Sequence, residues 1–334
     1  MHIDECVTAF LMAMREAGVN IDTSGGHPKP DGKLHRADAL GKHKGRNKHI
    51  WYTLFPDGIA SGAFGDVQTG ARGTWCSKRA ADMDQQEQAL FKKQLEAAEQ
   101  QRKAERAESQ AAASKVASDI MAISDPATQS HPYLKKKGLQ PTSRVYVVRE
   151  SFKYTLPHDE GKQRVVLRST LFIPAYSPDL KLVGGQMISF DGAKFFIKGT
   201  QKNGSYHPIG KAPEAYDSII IAEGWATAAR LHHITGWTSI VAFDAGNLMP
   251  VAKGMREKYP NAEIIIAADN DRTTNGNPGI RHANNAAIAV AGHVIYPQFP
   301  EGHDDKTDFD DLAQMFGAGE VKRQIKEQLP VDKA

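Results

Sequence analysis

Two short β-branched runs that each end in a carboxylate constrain the fold of this chain more than any other feature. Residues 219–222 (IIIA) are followed by Glu223, and residues 264–268 (IIIAA) are followed by Asp269 and Asp271. Each run is bounded by turn signals and leads into a helical pattern. Apolar runs of this length and setting predict buried strands of a parallel sheet.

The three acids predict a site at one edge of that sheet. Open α/β sheets bind their ligands outside the carboxyl ends of the strands, which is where Glu223, Asp269 and Asp271 would lie. Carboxylates gathered there would repel one another unless a cation lay between them. Because magnesium prefers carboxylate oxygens, the pattern favours a magnesium-dependent site for phosphoryl transfer.

The alternation of strand and helix continues to the end of the chain. Repeated units of this kind imply a parallel sheet with right-handed crossovers. Strands are predicted at 219–222, 238–243, 263–268 and 293–296, and helices at 226–234, 248–259, 279–291, 309–316 and 320–328.

A second acidic cluster, HDDKTDFDDL, precedes the predicted helix at 309–316. Acids at a helix start can simply cap the helix and complement its dipole. Five aspartates within eight positions are more than capping needs. We therefore expect Asp308 and Asp311 to add to the metal ligands.

Residues 124–212 predict a sheet of a different kind. Turns rich in Gly and Asp separate the strand candidates, which is typical of an antiparallel sheet. These candidates lie at 144–148, 165–176, 182–190 and 194–199. Lys194 and Lys198 share strand parity and should face the same side, where solvent or an anion must separate the two charges.

Several further cations are candidates for binding phosphate. Lys135, Lys136 and Lys137 end a short predicted helix, where cations suit the helix dipole. They are either an ordinary solubilising C-terminus or a phosphate contact. Arg272 and Arg281 flank the carboxylates, and a salt bridge to the surplus aspartates explains these two arginines equally well.

The N-terminal part is basic and aromatic. A helix is predicted at 3–17, and residues 19–75 carry the turn signals of a small β-rich module. The stretch HKGRNKHIWY suits single-stranded nucleic acid, because phosphates can meet its cations while bases stack on its rings. The candidates for this contact are Lys44, Arg46, Lys48, Trp51 and Tyr52. The alternative is a solvated hairpin in which Trp51, Phe55 and Phe64 form a small core.

A run rich in Ala, Gln, Glu, Lys and Arg separates the two folded parts. It contains strong helix formers, no Pro or Gly and no sustained apolar heptad, so it predicts a solvated helical linker. The predicted domains are a β-rich module (1–78), the linker (79–123), an antiparallel-sheet subdomain (124–212), an α/β domain with a parallel sheet (213–300) and an acidic motif with final helices (301–334).

Composition narrows the class of protein. A formal net charge of +3 permits a nucleic-acid partner without demanding one. Cys6 and Cys76 are the only cysteines, which excludes a disulfide framework and an all-cysteine zinc site. The histidines lack convincing ligand spacing, so no zinc is expected. Without an apolar run of membrane-spanning length or a signal peptide, we expect a cytoplasmic protein with no membrane partner.

Taken in order, these motifs resemble the Toprim domain, which DnaG-type primases share with type IA and type II topoisomerases and related nucleases. The resemblance is carried by Glu223-Gly224 after a strand, by Asp269-x-Asp271 after a later strand, and by TDFDDLA downstream. The segments AEGWATAA, VAFDAGNL, HPYLKKKGL, LFIPAY and GGQMISFDGAKFFIKG look like primases of conjugative plasmids and phages. In that family a small sheet domain precedes the Toprim domain.

The resemblance implies a nucleotidyltransferase of the DNA-directed RNA polymerase type, acting in the cytoplasm of a bacterial host. It would make short primers on single-stranded DNA from nucleoside triphosphates, for replication or transfer of a plasmid or phage. Two magnesium or manganese ions would be held by Asp269, Asp271, Asp308 and Asp311, while Glu223 would either ligate metal or act as a general acid or base. Phosphates would be bound by Lys194, Lys198, Arg272, Lys135, Lys136 and Lys137.

The sequence departs from this family in two ways and leaves two rival functions open. Two cysteines cannot build the zinc ribbon of DnaG-type primases. No G-x-x-x-x-G-K-[ST] motif occurs, so a separate helicase would have to be recruited. The rivals are a Toprim nuclease or nicking enzyme with the same metals, and a non-catalytic single-stranded-DNA-binding protein of a mobile element. The acids count against the second rival, since they are costly at a strand-end crevice unless used.

Overall fold

The chain forms two compact units, Met1–Ala104 and Glu105–Ala334, in a computed structural model. The structure describes residues 2–41, 48–66, 68–78, 82–157 and 161–330. No helix in these ranges is both long enough and apolar enough to span a bilayer.

The first unit is a helix packed on a four-stranded antiparallel sheet. The helix α1 (Ile3–Glu16) buries Cys6, Phe10 and Met14, which recur every four residues on one helical face. The strands, in sheet order, are β1 (His35–Ala37), β2 (Ile50–Phe55), β3 (Ser61–Asp66) and β4 (Arg72–Cys76). The ring of Phe10 packs on Tyr52, Phe64 and Trp75 of the sheet. The helix and the β-rich module lie where the sequence predicts them.

The helix α2 (Gln85–Ala122) occupies the predicted linker, but its last third is not solvated. Ala113, Val116, Ala117 and Ile120 are buried in the second unit, in a core shared with Phe172, Met187 and Ile197. Their spacing of three and four residues forms one narrow apolar stripe. This stripe is too short to give a heptad repeat in the sequence, but it is long enough for the helix end to pack on a sheet.

The sheet beneath this helix end is antiparallel, as predicted. Its strands are β5 (Ser124–Pro126), β6 (Tyr146–Val148), β9 (Leu171–Tyr176), β10 (Leu182–Ile188) and β11 (Lys194–Phe196), in the order β11-β10-β9-β6-β5. The short helix α3 (Pro132–Lys137) follows β5. The predicted strand at 165–176 is in fact two strands, because Ser169 takes a left-handed conformation with φ 63° and breaks the extended run. Its first half, β8 (Arg164–Val166), pairs instead with β7 (Phe152–Tyr154).

The second sheet of this unit is built from the predicted strand–helix units. Its strands are β12 (His207–Ile209), β13 (Ser218–Ala222), β14 (Thr238–Val241), β15 (Glu263–Ala267) and β16 (His293–Ile295), in the order β12-β14-β13-β15-β16. All neighbours are parallel except β12, which runs antiparallel along β14. Its helices are α4 (Trp225–Thr235), α5 (Leu248–Lys258), α6 (Pro278–Val290) and α7 (Phe309–Gln328).

Apolar cores on both faces of this sheet explain its uninterrupted β-branched strands. Ile220 and Ile265 face one core, whereas Ile219 and Ile264 face the other. Both parities of each strand are therefore buried, so no polar residue alternates with the isoleucines. The two predicted C-terminal helices are the halves of α7, which are separated by Gly317 with a non-helical conformation.

Candidate active site

Three carboxylates follow three adjacent strands of the mixed sheet. Ala222 pairs with Ala267 on one side and with Val241 on the other, so the ends of β13, β14 and β15 are level. Glu223 comes directly after β13, and Asp269 comes two residues after β15. Asp244 comes three residues after β14, where its carboxylate accepts the backbone N–H of Asn247 at 3.0 Å.

The carboxyl group of Asp269 is in an unfavourable setting for its charge. Burial, followed by the nearby charges of Glu223, Asp308 and Asp271, raises its pKa to about 8. Its Oδ1 atom is buried and has no hydrogen-bond partner among the described residues. A buried, unpaired carboxylate oxygen is costly, and such groups concentrate at functional sites.

Glu223 shares this setting. Burial raises its pKa to about 7, and the charges of Asp271 and Asp244 add to the effect. A hydrogen bond from the backbone of Ala245 and the charge of Lys194 act in the opposite direction. Glu223 can therefore hold or release a proton near neutral pH when no metal is bound.

Lys194 of the antiparallel sheet lies beside these acids. Its ammonium nitrogen is 3.8 Å from the point that a β-carbon on Gly224 would occupy. Its charge lowers the pKa of both Glu223 and Asp269. Burial and like charges nevertheless outweigh this one cation, since both pKa values stay raised.

The acidic motif before α7 joins the same cluster through a backbone contact. The N–H of Asn270 donates to the carbonyl oxygen of Thr307 at 2.7 Å, which holds Asp308 next to Asp269 and Asp271. Asp308 also caps α7, because its carboxylate accepts the N–H of Asp311 at 2.8 Å. Burial raises the pKa of Asp308 despite this hydrogen bond.

A pair of asparagines shapes the loop after β15. The side-chain amide of Asn270 donates to the carbonyl of Pro297, and its side-chain oxygen accepts from the amide of Asn277. The side-chain oxygen of Asn277 accepts the N–H of Asp271 in turn. This network fixes the backbone that carries the two aspartates.

The C-terminal half of this unit matches a known domain. Residues 218–319 match the family model described as the Toprim domain. Residues 218–319 form a Toprim domain. The resemblance inferred from the motifs is thereby confirmed, as are the α+β and α/β fold classes.

Curated relatives extend the likeness of the chain beyond the Toprim domain. Two proteins named DNA primase TraC, both from Escherichia coli, are 37% identical over 300 residues and 36% identical over 304 residues. These matches cover 87% and 88% of this chain but only 19% and 26% of the relatives. The chain thus spans about a fifth to a quarter of the length of the relatives it matches.

Among solved structures, the chain is distantly similar to the catalytic domain of the primase DnaG bound to single-stranded DNA. The identity is 13% and the TM-score 0.46, with 68% of this chain and 83% of that chain covered.

The acids of this cluster, here called the Toprim acids, have the chemistry that binds a divalent cation. They are Glu223, Asp244, Asp269, Asp271 and Asp308. They combine a carboxylate oxygen that is buried without a partner among the described residues with pKa values raised by burial and by neighbouring acids. Within the described residues, however, no three His, Cys, Asp or Glu side chains already have the arrangement of a formed metal site.

Not every aspartate of the acidic motif before α7 points into the cluster. Asp310 lies on α7 between Asp308 and Asp311, but its carboxylate is fully buried and paired with Lys137 and Arg230, each at 2.8 Å. Lys137 is thus engaged by an aspartate, which corrects its prediction as a phosphate contact. The other two lysines of that helix, Lys135 and Lys136, are exposed.

The remaining predicted cations differ in their surroundings. Arg272 donates to the carbonyl oxygens of Phe299 and His303 and pairs with Asp304 at 3.3 Å, as its salt-bridge alternative requires. Arg281 is exposed on α6. Strand β11 ends at Phe196, so strand alternation does not extend from Lys194 to Lys198.

Tyr52 in the first unit was wrongly predicted to contact nucleic acid. Its ring is fully buried against α1, and its hydroxyl bonds to His27 and to the backbone N–H of Lys29. Strand alternation points it into the core, whereas Trp51 on the other face is partly exposed. Lys48 is exposed. Lys44 and Arg46 lie outside the residues that the structure describes.

Asp244 is the one acid of the cluster that the sequence prediction missed. It lies in the segment VAFDAGNL, which contributed to the family resemblance without giving a site residue. The rule that singled out Glu223 and Asp269, an acid just beyond a parallel strand, applies to Asp244 as well. The predicted strand at 238–243 ends directly before Asp244, so the same rule could have found it, although the observed strand β14 ends earlier, at Val241.

Proposed function

We propose that this chain carries the catalytic part of a DNA primase. The reaction joins the 3′-hydroxyl oxygen of one nucleotide to the α-phosphorus of a nucleoside triphosphate, with pyrophosphate leaving, on a single-stranded DNA template. Support comes from the similarity to DNA primase TraC and from the Toprim carboxylates beside Lys194. The observation that carries the proposal is the buried, unpaired oxygen of Asp269 among acids that raise its pKa.

The proposed metal ligands are Asp269, Asp271 and Asp308, with Asp311 and Glu223 beside them. Two magnesium or manganese ions bound there would supply the charge that activates the 3′-hydroxyl and neutralises the departing pyrophosphate. The protein itself supplies the cluster of negatively charged carboxylates. Because burial and mutual repulsion oppose ionisation, these carboxylates gain more from a bound cation than exposed acids would.

Other side chains would act on the substrate directly. Lys194 is proposed to bind triphosphate oxygens, and its effect on the pKa values of Glu223 and Asp269 supports this role. Glu223, whose pKa lies near 7 without metal, could accept the proton of the attacking hydroxyl. Lys198, Lys135 and Lys136 are proposed to bind template or triphosphate phosphates. No nucleophilic side chain is required, because phosphoryl transfer depends on positioning and charge neutralisation.

The biological setting is part of the proposal. The primers would serve replication or transfer of a plasmid or phage in a bacterial cytoplasm. A separate replicative helicase would supply the single-stranded template.

Incubation with single-stranded DNA, labelled nucleoside triphosphates and magnesium or manganese tests the activity. We expect new short oligomers from the wild type and none from Asp269→Asn. Asp305→Asn is a matched control, because Asp305 is exposed in the same acidic run and pairs only with its neighbour Lys306 among the described residues. Shortened template would instead identify a Toprim nuclease. If neither new oligomers nor shortened template appear, both enzymatic functions are overturned.

A second measurement examines the metal without relying on activity. Magnesium should raise the melting temperature of the wild type and of Asp305→Asn, but not that of Asp269→Asn. Equal stabilisation of all three proteins would contradict the proposed ligand set.

A further inference from the structure

One row of residues crosses all four strands of the first unit's sheet. Arg36 on β1 pairs with Trp51 on β2, Trp51 pairs with Gly65 on β3, and Gly65 pairs with Arg72 on β4. Neighbouring strands lie about 4.8 Å apart, so the row spans about 14 Å from its first arginine to its last. A cation, an indole and a second cation are thus set side by side.

This row lies on the face of the sheet that α1 does not cover. The helix packs on the alternate residues, since the ring of Phe10 lies 6.2 Å from that of Tyr52 and 5.5 Å from that of Phe64. Because successive side chains of a strand point to opposite faces, Trp51 and its row point away from α1.

Gly65 lets the indole lie flat across the sheet. A β-carbon at Gly65 would come within 2.8 Å of three atoms of the Trp51 ring system. The indole therefore fills the space above the glycine and buries it, while remaining partly exposed itself. A flat and partly exposed aromatic surface on the face away from α1 is the geometry on which an unpaired base can stack.

The two arginines at the ends of the row are exposed, and neither forms an ion pair or side-chain hydrogen bond within the described part of the chain. No carboxylate lies in the row. Packing alone would explain an indole over a glycine, but it does not call for an uncompensated guanidinium on each side. Guanidinium groups bind phosphate oxygens through two parallel hydrogen bonds.

We propose that Arg36, Trp51 and Arg72 form a binding site for single-stranded DNA. A base would stack on the indole of Trp51, and the flanking phosphates would bind the two guanidinium groups. This goes beyond the proposed function, because it assigns a second DNA site within the first unit that involves none of the Toprim carboxylates. The proposed site also differs from the one predicted from the sequence. It excludes the buried Tyr52 and includes two arginines that lie outside the predicted basic segment.

Fluorescence anisotropy of a labelled oligothymidylate, with the full chain in EDTA and over a range of salt concentrations, tests the site. EDTA prevents metal-dependent catalysis, so failure of the primase proposal would not affect the result. Trp51→Leu should weaken binding by about 5- to 140-fold, the range expected for loss of one stacked base, whereas Trp51→Phe should keep most of the affinity. Arg36→Gln and Arg72→Gln should each lower the slope of log affinity against log salt by about 0.7, as loss of one phosphate contact predicts.

Arg15→Gln provides the matched control, since it removes an exposed arginine from α1 on the covered side of the same unit. Melting curves of every variant will show that the first unit still folds. The proposal is overturned if Arg36→Gln and Arg72→Gln weaken binding no more than Arg15→Gln, or if Trp51→Leu binds like the wild type. It is also overturned if duplex DNA competes as well as the single strand, because paired bases cannot stack on the indole.

Discussion

Lys194 approaches the Toprim acids beside Gly224, the residue that follows Glu223. Its ammonium nitrogen lies 3.8 Å from where a β-carbon on Gly224 would be, directly after Glu223. The backbone of Gly224 has an ordinary extended conformation, with φ −95° and ψ 147°. A β-carbon at Gly224 would make only ordinary van der Waals contacts, so neither backbone strain nor lack of room calls for the glycine, and the short distance instead shows how near Lys194 lies to Glu223.

Replacing this lysine should impair catalysis more than stability. We expect Lys194→Met to lower the rate of primer synthesis by about 100-fold, the loss typical of removing one group that stabilises transition-state charge. Lys202→Met is the control, because the Lys202 ammonium group lies over the ring of Phe196, 4.1 Å from its centroid, in the same subdomain. Steady-state rates at varied triphosphate concentration will compare them, and equal losses would contradict a direct role for Lys194.

Asp269→Asn should stabilise the metal-free protein while abolishing synthesis. At pH 8 the wild-type carboxyl group, with a pKa of about 8, is about half ionised in a buried and repulsive setting. The amide removes that charge, so the melting temperature in EDTA should rise by at least about 2–4 °C, the change expected for about 1 kcal/mol. A melting temperature at or below that of the wild type at pH 8 would contradict the raised pKa.

Gly279 should be irreplaceable at the start of α6. A β-carbon there would lie 2.3 Å from the carbonyl oxygen of Asp269, so even alanine must push the helix away from the loop that carries the acids. We expect Gly279→Ala to lower both the melting temperature and the rate of primer synthesis. Gly254→Ala, within α5, meets no atom within 4 Å and should stabilise the protein by about 0.5–1 kcal/mol. If both variants behave alike, the close approach is not what Gly279 provides.

The parts of this fold that follow from sequence are those in which local pattern and burial agree. Residues 219–222 and 264–268 had to be buried strands because both parities are apolar, and parallel pairing then brought Glu223 and Asp269 to one edge. Side-chain partners were harder to predict. Lys137 was predicted to contact phosphate because it is a cation at a helix end. Its buried partner Asp310 lies more than a hundred residues further along the chain, so no local pattern indicates their pairing.

The alternation of side chains along β2 explains why Tyr52 was wrongly predicted to contact nucleic acid. Trp51 and Tyr52 are adjacent aromatics in one basic stretch, and only the register against α1 decides which of them is buried. The packed end of α2 was missed for a related reason. A stripe of four small and β-branched residues becomes an interface only when a complementary sheet exists, and the sequence of the helix alone does not show that sheet.

Asp310 should contribute to the stability of the fold, although it lies in the acidic motif that contains Asp308. Its fully buried carboxylate pairs with Lys137 and Arg230, so Asp310→Ala removes the buried partner that these two partly buried cations share. We expect a loss of about 3–5 kcal/mol in the free energy of unfolding by urea. Lys135→Met should cost almost nothing, because Lys135 is exposed on the same helix as Lys137. Equal midpoints for the two variants would show that the buried pairing does not contribute.

His207 should make the second unit sensitive to acid. The imidazole is fully buried on β12, where its Nδ1 lies 3.0 Å from the carbonyl oxygen of Pro174, and burial lowers its pKa to about 4. In the unfolded chain its pKa is about 6.5, so between these values the unfolded state binds more protons than the folded state. The stabilising contribution is therefore complete above pH 6.5 and is lost as pH falls through 4.

The full difference between pKa values of 6.5 and about 4 corresponds to about 3 kcal/mol. Urea unfolding at several pH values between 4 and 8 will measure this loss in the wild type and in His207→Asn, which has no titrating group at this position. The wild type should lose up to about 3 kcal/mol more than the variant as pH falls from 7 to 4. Parallel pH profiles for the two proteins would show that the acid sensitivity arises elsewhere in the chain.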